Sequence, residues 1–188
     1  YGGQFESQAS ASRLIALLSL LSLAGMFMVL YVHFKSANLA LQVMTSIPLA
    51  FIGAVIGVWL SGGVFSIATM VGFVTLTGIA ARNGIMMIAH YIHLMEHEGE
   101  KFDLAMVYRG TSERIIPVLM TALTASLALI PLVIAADEPG RELLHPVAVV
   151  IFCGLFSSTL LDLTVRPLVF WKFGKKPIST LLPQAITP

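Results

Sequence analysis

The sequence has 188 residues, of which 57% are hydrophobic and only 11% are charged, and its mean hydropathy is +0.89. Because soluble domains carry about a quarter charged residues, this composition excludes an ordinary soluble domain and indicates an integral membrane protein. The net charge of +1 and the lack of any Lys/Arg-rich run also exclude the usual features of a nucleic-acid-binding protein.

Long stretches without Asp, Glu, Lys or Arg divide the chain into membrane spans. The first lies between Arg13 and Lys35, and the second, from Lys35 to Arg82, is long enough for two spans that break at Ser61-Gly62-Gly63. Continuous apolar runs of about 20 residues are typical of membrane helices rather than of barrel strands. The predicted fold class is therefore an all-α polytopic bundle of five transmembrane helices, at 14–34, 39–60, 65–90, 115–136 and 146–171.

Prolines and glycines within these runs predict local features of the helices. Pro48 and Pro131 fall inside spans and should kink them, whereas Pro117 is expected in the first turn of the fourth span, where its missing N–H is tolerated. Small residues allow close helix contact, although they are also simply common in membrane helices. The glycines placed for such contacts are Gly53, Gly57, Gly72, Gly78 and Gly154.

Lys and Arg outside the spans predict the orientation of the bundle. One side would hold Lys35, Lys101, Arg109, Arg114, Lys172, Lys175 and Lys176, and the other only Arg13 and Arg141. The richer side is expected to be cytoplasmic, which places residues 1–13 in the periplasm and the tail 172–188 in the cytoplasm. The connection 91–114 would then be cytoplasmic and could include a short amphipathic helix around Phe102 and Met106 on the inner membrane surface.

Three charges lie where lipid is expected: Arg82, Asp162 and Arg166. Each costs about 2.5–3.5 kcal/mol on insertion scales, so such residues usually face a bundle interior or an aqueous path. Asp162 and Arg166 are four residues apart and therefore share one helix face. We expect them to form an intramembrane charge pair with a structural role, with a functional role as the alternative.

Helix rise places a cation, a hydroxyl and a carboxylate at one depth. Counted from the cytoplasmic ends of their helices, Arg82 lies about 12 Å in, Thr121 about 9 Å and Asp162 about 13 Å. Proton-coupled transport needs a carboxylate whose protonation changes the partner of a nearby fixed cation, and arginine stays protonated. Depth alone does not reveal which helices are neighbours.

Metal binding and enzymatic chemistry are both disfavoured. His90, His93 and His97 share a helix face, but they lie at a membrane boundary and no cysteine accompanies them. The sequence contains no phosphate-binding loop, no nucleophile elbow and no zinc-protease motif. We therefore predict a protein that is not an enzyme, with no cofactor and no metal site within these residues.

Several motifs resemble the resistance–nodulation–cell division (RND) superfamily. The stretch Gly-Phe-Val-Thr-Leu-Thr-Gly-Ile-Ala-Ala-Arg-Asn-Gly-Ile-Met-Met, from Gly72 to Met87, resembles its tenth transmembrane helix. The segments His-Leu-Met-Glu-His-Glu-Gly-Glu at 93–100, Tyr-Arg-Gly at 108–110 and Pro-Val-Leu-Met-Thr at 117–121 match the residues that come after that helix in the superfamily. The opening Gly-Gly-Gln-Phe-Glu-Ser-Gln is similar to the link from the periplasmic porter domain into the eighth helix. The resemblance is to the heavy-metal efflux branch, the cobalt–zinc–cadmium and copper–silver pumps.

This resemblance implies a proton antiporter in the inner membrane of a Gram-negative bacterium. Such pumps are homotrimers that join a periplasmic adaptor and an outer-membrane channel to expel cations. Arg82 and Asn83 stand where drug-exporting relatives have the Lys-Asn of the proton relay, and Thr121 matches the relay threonine of the next helix. Some copper-type members carry Glu at the position of Arg82 and Lys at that of Val118, so this chain fits a divalent-cation pump better.

Our leading hypothesis is that these residues form the C-terminal membrane module of a proton-driven heavy-metal exporter, incomplete as given. The relay carboxylates on the fourth helix and the metal site in the porter region would belong to the remainder of the pump. Two alternatives stay open: a fragment of an RND drug or hydrophobe exporter, and a truncated, non-transporting membrane assembly subunit.

Overall fold

The structure, a computed structural model, describes residues 2–63, 65–134 and 144–185, and throughout these ranges the regular elements are helices. Five stretches are long and apolar enough to cross a membrane, which confirms the predicted all-α bundle of five spans. The elements are α1 (Gly2–Phe34), α2 (Ala37–Met44), α3 (Ser46–Leu60), α4 (Ile67–His97), α5 (Leu104–Ile134), α6 (Leu144–Phe173), α7 (Lys175–Leu181) and a short 3-10 turn (Pro183–Ala185). Residue Arg141, used above for orientation, lies outside the described ranges.

The second span is interrupted, and the third begins after a tight turn. α2 ends at Met44 and α3 begins at Ser46, because Pro48 has no N–H to donate to the Met44 carbonyl four residues earlier. Gly62 and Gly63 both have positive φ, +106° and +72°, a backbone conformation that glycine adopts without strain. The break at the Ser-Gly-Gly turn is thus confirmed, and the second span is interrupted just before Pro48, whereas α5 remains one helix through Pro131.

The connection between α4 and α5 differs from the expectation. α4 continues to His97 and α5 already begins at Leu104, so no separate amphipathic helix forms between them. Pro117 consequently lies in the middle of α5, which stays helical through it, and its predicted place in a first turn is wrong. Beyond the apolar runs, Arg109 on α5 pairs with Glu98, Glu100 and Glu113 at N–O distances of 2.5 to 2.9 Å.

The tail after α6 folds back on the same end of the bundle. Ile178 of α7 is fully buried, and the backbone N–H of Phe102 donates to the Ala185 carbonyl at 2.8 Å. The Phe102 ring stacks on Trp171 and lies beside Phe170. The tail therefore covers the short connection between α4 and α5.

The centre of the bundle is α6 packed on α3 and α4. Gly53 approaches Cys153 and Ser157 of α6, and a Cβ at Gly57 would lie 2.6 Å from the Cys153 sulfur. Gly72 and Gly154 make the corresponding approaches between α4 and α6, whereas Gly78 has open space around it. Close packing is thus confirmed for four of the five predicted glycines.

α1 and the distal part of α5 lie outside this core and leave large apolar side chains exposed, among them Leu20, Leu21, Met28, Leu123 and Leu127.

Candidate functional site

A cleft between α4 and α5 brings together the residues that the sequence singled out. It has a volume of about 190 Å³ and is called here the Arg82 cleft. Its lining consists of Arg82, Asn83, Met86, Met87, Arg114, Pro117, Val118 and Thr121. Two neighbouring helices thus supply two cations, Arg82 and Arg114, together with an amide and a hydroxyl to one cavity.

The polar groups of this cleft differ in their surroundings. The side chain of Arg82 is exposed, whereas Asn83 is only 7% exposed. The Thr121 hydroxyl donates to the Val118 carbonyl at 2.9 Å, one turn back along α5, which leaves its lone pairs available to a donor. Within the described ranges no carboxylate forms an ion pair with Arg82. Arg82 therefore lies in the cleft without an acidic partner from the described part of the chain, and the same holds for Arg114.

A second polar site, called here the ion-pair site, lies inside the bundle and consists of Gln42, Ser46, Asp162 and Arg166. The Nη2 atom of Arg166 donates to Asp162 Oδ1 at 2.6 Å, and the same nitrogen contacts the hydroxyl of Ser46. The two charged residues are only 3% and 4% exposed. One carboxylate thus faces one guanidinium, and the two charges balance when both groups are ionised.

The two sites lie on opposite faces of α4. A Cβ added at Gly84 would meet Arg166 Nη1 at 2.6 Å and Ser46 Oγ at 2.9 Å, so that side of α4 faces the ion-pair site. Arg82 is two residues away, which is about 200° around a helix, and it faces the cleft instead. Asp162, which the helix rise predicts at a depth similar to that of Arg82, therefore lies on the other side of α4.

The histidines do not converge on a metal. The His90 ring lies 2.8 Å from a carboxylate oxygen of Glu113, and the rings of His93 and His97 stack on each other. Across the described ranges, no three His, Cys, Asp or Glu side chains are grouped as metal ligands would be.

Three residues of the ion-pair environment escaped the sequence analysis: Gln42, Ser46 and Gly84. Asn38, Gln42 and Ser46 recur every four residues in an otherwise apolar run, a spacing that places them on one helix face. The Gln42 amide donates to Asn38 Oδ1 at 2.7 Å. A polar stripe within a charge-free span was therefore the signal that pointed to a partner for Arg166.

Comparisons with known proteins agree with this arrangement of helices. The profile of the AcrB/AcrD/AcrF family matches residues 1–174. Protein HelA of Legionella pneumophila is 39% identical over 173 residues, which is 92% of this chain and 16% of HelA. The cobalt-zinc-cadmium resistance protein CzcA of Cupriavidus metallidurans is 38% identical over 170 residues, 90% of this chain and 16% of CzcA.

A solved structure is similar over the same part of the chain. The crystal structure of a heavy metal efflux pump superimposes with a TM-score of 0.80 at 34% identity, covering 92% of this chain and 16% of that one. The chain thus spans about a sixth of the length of these relatives.

Proposed function

Because this multi-pass membrane chain belongs to the AcrB/AcrD/AcrF family of RND efflux pumps, we propose that it is the C-terminal membrane module of a proton-driven heavy-metal cation exporter. The matched relatives and the matched structure include heavy-metal resistance and efflux proteins. The five spans would complete their transmembrane domain together with helices from the remainder of such a pump.

One observation carries the proposal: Arg82 is an intramembrane cation that opens into a cleft and has no acidic partner within the described ranges. Holding an unpaired charge in a span is unfavourable, so such residues pair with a group elsewhere or line an aqueous path. The resemblance supplies the partner, since the relay carboxylates of RND pumps lie on the fourth helix. When that carboxylate is ionised it would bind Arg82, and when it is protonated it would release Arg82.

Asn83 and Thr121 would complete the relay. Both line the Arg82 cleft, one from α4 and the other from α5, and each can accept or donate a hydrogen bond as the cation moves. Exchange of Arg82 between the carboxylate and these neutral groups would couple protonation to a displacement of α4 against α5. Population of two such arrangements is what alternating access requires.

The cargo is proposed to be a divalent transition-metal cation. Arg82 and Val118 stand at positions where some copper-type relatives have Glu and Lys, so those features of the copper/silver subtype are missing. The residues that bind the metal would lie in the periplasmic porter region rather than in this module.

The proposed assembly is a homotrimer in the inner membrane of a Gram-negative bacterium, joined to a periplasmic adaptor and an outer-membrane channel. The exposed apolar side chains of α1 and α5 suit contact with lipid and with the remaining helices. Cytoplasmic placement of the α4–α5 connection and the tail rests on the excess of Lys and Arg on that side.

The test is resistance to metal in cells that carry the full-length pump. We expect Arg82→Ala to abolish resistance to divalent cations while leaving the amount of pump in the membrane unchanged, because the side chain is exposed and holds no helix in place. Resistance to dyes and detergents is measured in parallel. Loss of dye resistance with unchanged metal resistance would instead indicate a drug exporter, and wild-type resistance to both metals and dyes would remove Arg82 from the mechanism.

Two threonines provide a matched comparison for the relay hydroxyl. Thr121 and Thr124 are both exposed on α5, and each donates to a backbone carbonyl of the preceding turn. Only Thr121 lines the Arg82 cleft. We therefore expect Thr121→Ala to lower metal resistance and Thr124→Ala to leave it unchanged.

A further inference from the structure

The ion-pair site contains buried polar atoms that the described chain leaves without hydrogen-bond partners. They are Gln42 Oε1, Asp162 Oδ2, and Arg166 Nε and Nη1. Gln42 is 6% exposed, and the two charged residues are more deeply buried still. Because unsatisfied buried polar groups are unfavourable, this set requires another hydrogen-bonding group.

The geometry of the site suits one water molecule. A cavity of about 10 Å³ lies between α2, α3 and α6, and Gln42, Asp162 and Arg166 line it. A cavity of about 10–15 Å³ holds a single water when it offers two to four polar partners. The water oxygen would accept from Arg166 Nε, and its two hydrogens would be donated to Asp162 Oδ2 and Gln42 Oε1. Arg166 Nη1 faces Gly84 of α4 instead and is not bound by this water.

The same guanidinium also lies close to the backbone of α4 at Gly84. Gly84 has no side chain, and the space that a Cβ would occupy there is limited by Arg166 Nη1 and by Ser46 Oγ. The guanidinium is planar and held in place by Asp162 and Ser46, so it acts as a rigid stop. The next residues toward the N-terminus of α4 are Asn83 and Arg82.

We propose that a water molecule bound by Gln42, Asp162 and Arg166 bridges the ion-pair site, and that this hydrated site fixes the position of α4 at Gly84 and thereby the position of Arg82. Arg166 is then a positioning residue, acting through the helix that carries the cation. The effect of Arg166 on transport rests on the proposed function, whereas its effect on the position of α4 does not depend on that function.

The first experiment measures the position of α4 directly in the full-length pump. Met86→Cys on α4 and Val118→Cys on α5 both face the Arg82 cleft, and the rate at which they form a cross-link reports their separation. On a background without other cysteines, Gly84→Ala should change this rate by about tenfold, since proximity-dependent reactions respond steeply to displacements of about 1 Å. Gly78→Ala, on the same helix but with no neighbour within 4 Å, is the matched control and should leave the rate unchanged.

A second pair of variants tests the water. Gln42→Leu removes the acceptor Oε1, whereas Asn38→Leu, one turn away, removes only the partner of the Gln42 amide. We expect Gln42→Leu to change the cross-linking rate and Asn38→Leu to have no effect. A wild-type cross-linking rate in Gln42→Leu would contradict the proposed bound water. A wild-type cross-linking rate in Gly84→Ala would contradict the proposal that the ion-pair site fixes the position of α4. If Gly84→Ala does not fold, Arg166→Lys, which keeps the charge but loses the planar fork, takes its place.

The consequence for transport is measured as its pH profile in proteoliposomes. Moving Arg82 away from its carboxylate lets that acid keep its proton at higher pH, so half-maximal transport in Gly84→Ala should move to higher pH, with Gly78→Ala unchanged. A merely structural role would lower the amount of folded pump and leave the profile unchanged. Altered cross-linking in a pump whose wild type shows no pH-dependent metal transport would contradict the proposed function but not the positioning.

Discussion

Arg166 and Arg82 lie on opposite sides of α4, and the membrane-spanning bundle accommodates their charges in different ways. Arg166 is sealed inside the bundle and pairs with Asp162 at 2.6 Å. Arg82 is exposed in an open cleft, and no carboxylate in the described ranges reaches it. On the roles proposed above, a charged residue in a span is not by itself a sign of transport chemistry, because the location of its partner decides its role.

The largest expected difference is in stability. Arg166→Leu leaves the Asp162 carboxylate buried without its partner, which should destabilise the full-length pump by about 3–5 kcal/mol. Arg82→Leu should have little effect on stability, since its side chain is exposed. The free energy of unfolding of both purified variants is measured by denaturant titration. An equal loss of stability in the two variants would contradict the distinction between the two arginines. The double variant Asp162→Leu/Arg166→Leu should recover much of the loss, because it removes both charges.

Asp162→Asn should have an intermediate effect. The amide keeps an oxygen that can accept from Arg166 but loses the negative charge, so we expect a loss of about 1.5–3 kcal/mol in stability. Transport by the folded fraction should persist, unlike that of Arg82→Ala. Complete loss of proton coupling in folded Asp162→Asn would show that the sealed pair takes part in transport after all.

Gly53 and Gly78 test whether the interface between α3 and α6 is packed more tightly than the open surface of α4 around Gly78. Gly53→Ala inserts a methyl group against Cys153 and Ser157 of α6 and should cost about 1–3 kcal/mol. Gly78→Ala meets no neighbour within the described chain and should be neutral or slightly stabilising, since alanine favours a helix over glycine. Unfolding of the two variants under the same conditions provides the comparison, and an equal loss in both would contradict it.

The smallest effect is expected at a third arginine, outside the apolar spans. Arg109 binds three carboxylates, more than Arg166 does, but all its partners are exposed. Arg109→Ala should therefore lower the melting temperature only slightly at low salt and not at all in about 1 M salt, where charges are screened within about 3 Å. A loss as large as that of Arg166→Leu would mean that the number of partners matters more than burial.

Much of the fold was predictable from the distribution of charges. Uncharged runs located all five spans, because charged side chains are unfavourable in lipid. The Ser-Gly-Gly turn and Pro48 located two breaks, because glycine favours turns and proline lacks the N–H that a helix needs. The start of α5 was not predictable in the same way. Its first turns carry polar and charged residues, and only the folded structure shows that they continue the apolar span as one helix, with Arg109 paired to the surrounding glutamates.

The candidate site was predictable in part. Arg82, Asn83 and Thr121 were grouped from a resemblance and from depth, and the structure places them in one cleft. Depth could not reveal that Asp162 lies behind α4, because it carries no information about which face of a helix meets which neighbour. Gly84 escaped notice for a related reason, since a missing side chain becomes informative only when the group that fills its space is known.

The contacts between α3 and α6 also bear on how the protein is made. Ser46 meets Arg166, and Ser157 donates to the Leu49 carbonyl, although these partners are 120 and 108 residues apart in sequence. While α3 and α4 leave the translocon, the ribosome has not yet synthesised the helix that fits their glycine faces and polar stripe. The nascent bundle therefore has to shelter these surfaces, against lipid or a membrane chaperone, until α6 is inserted and completes the core in one late step.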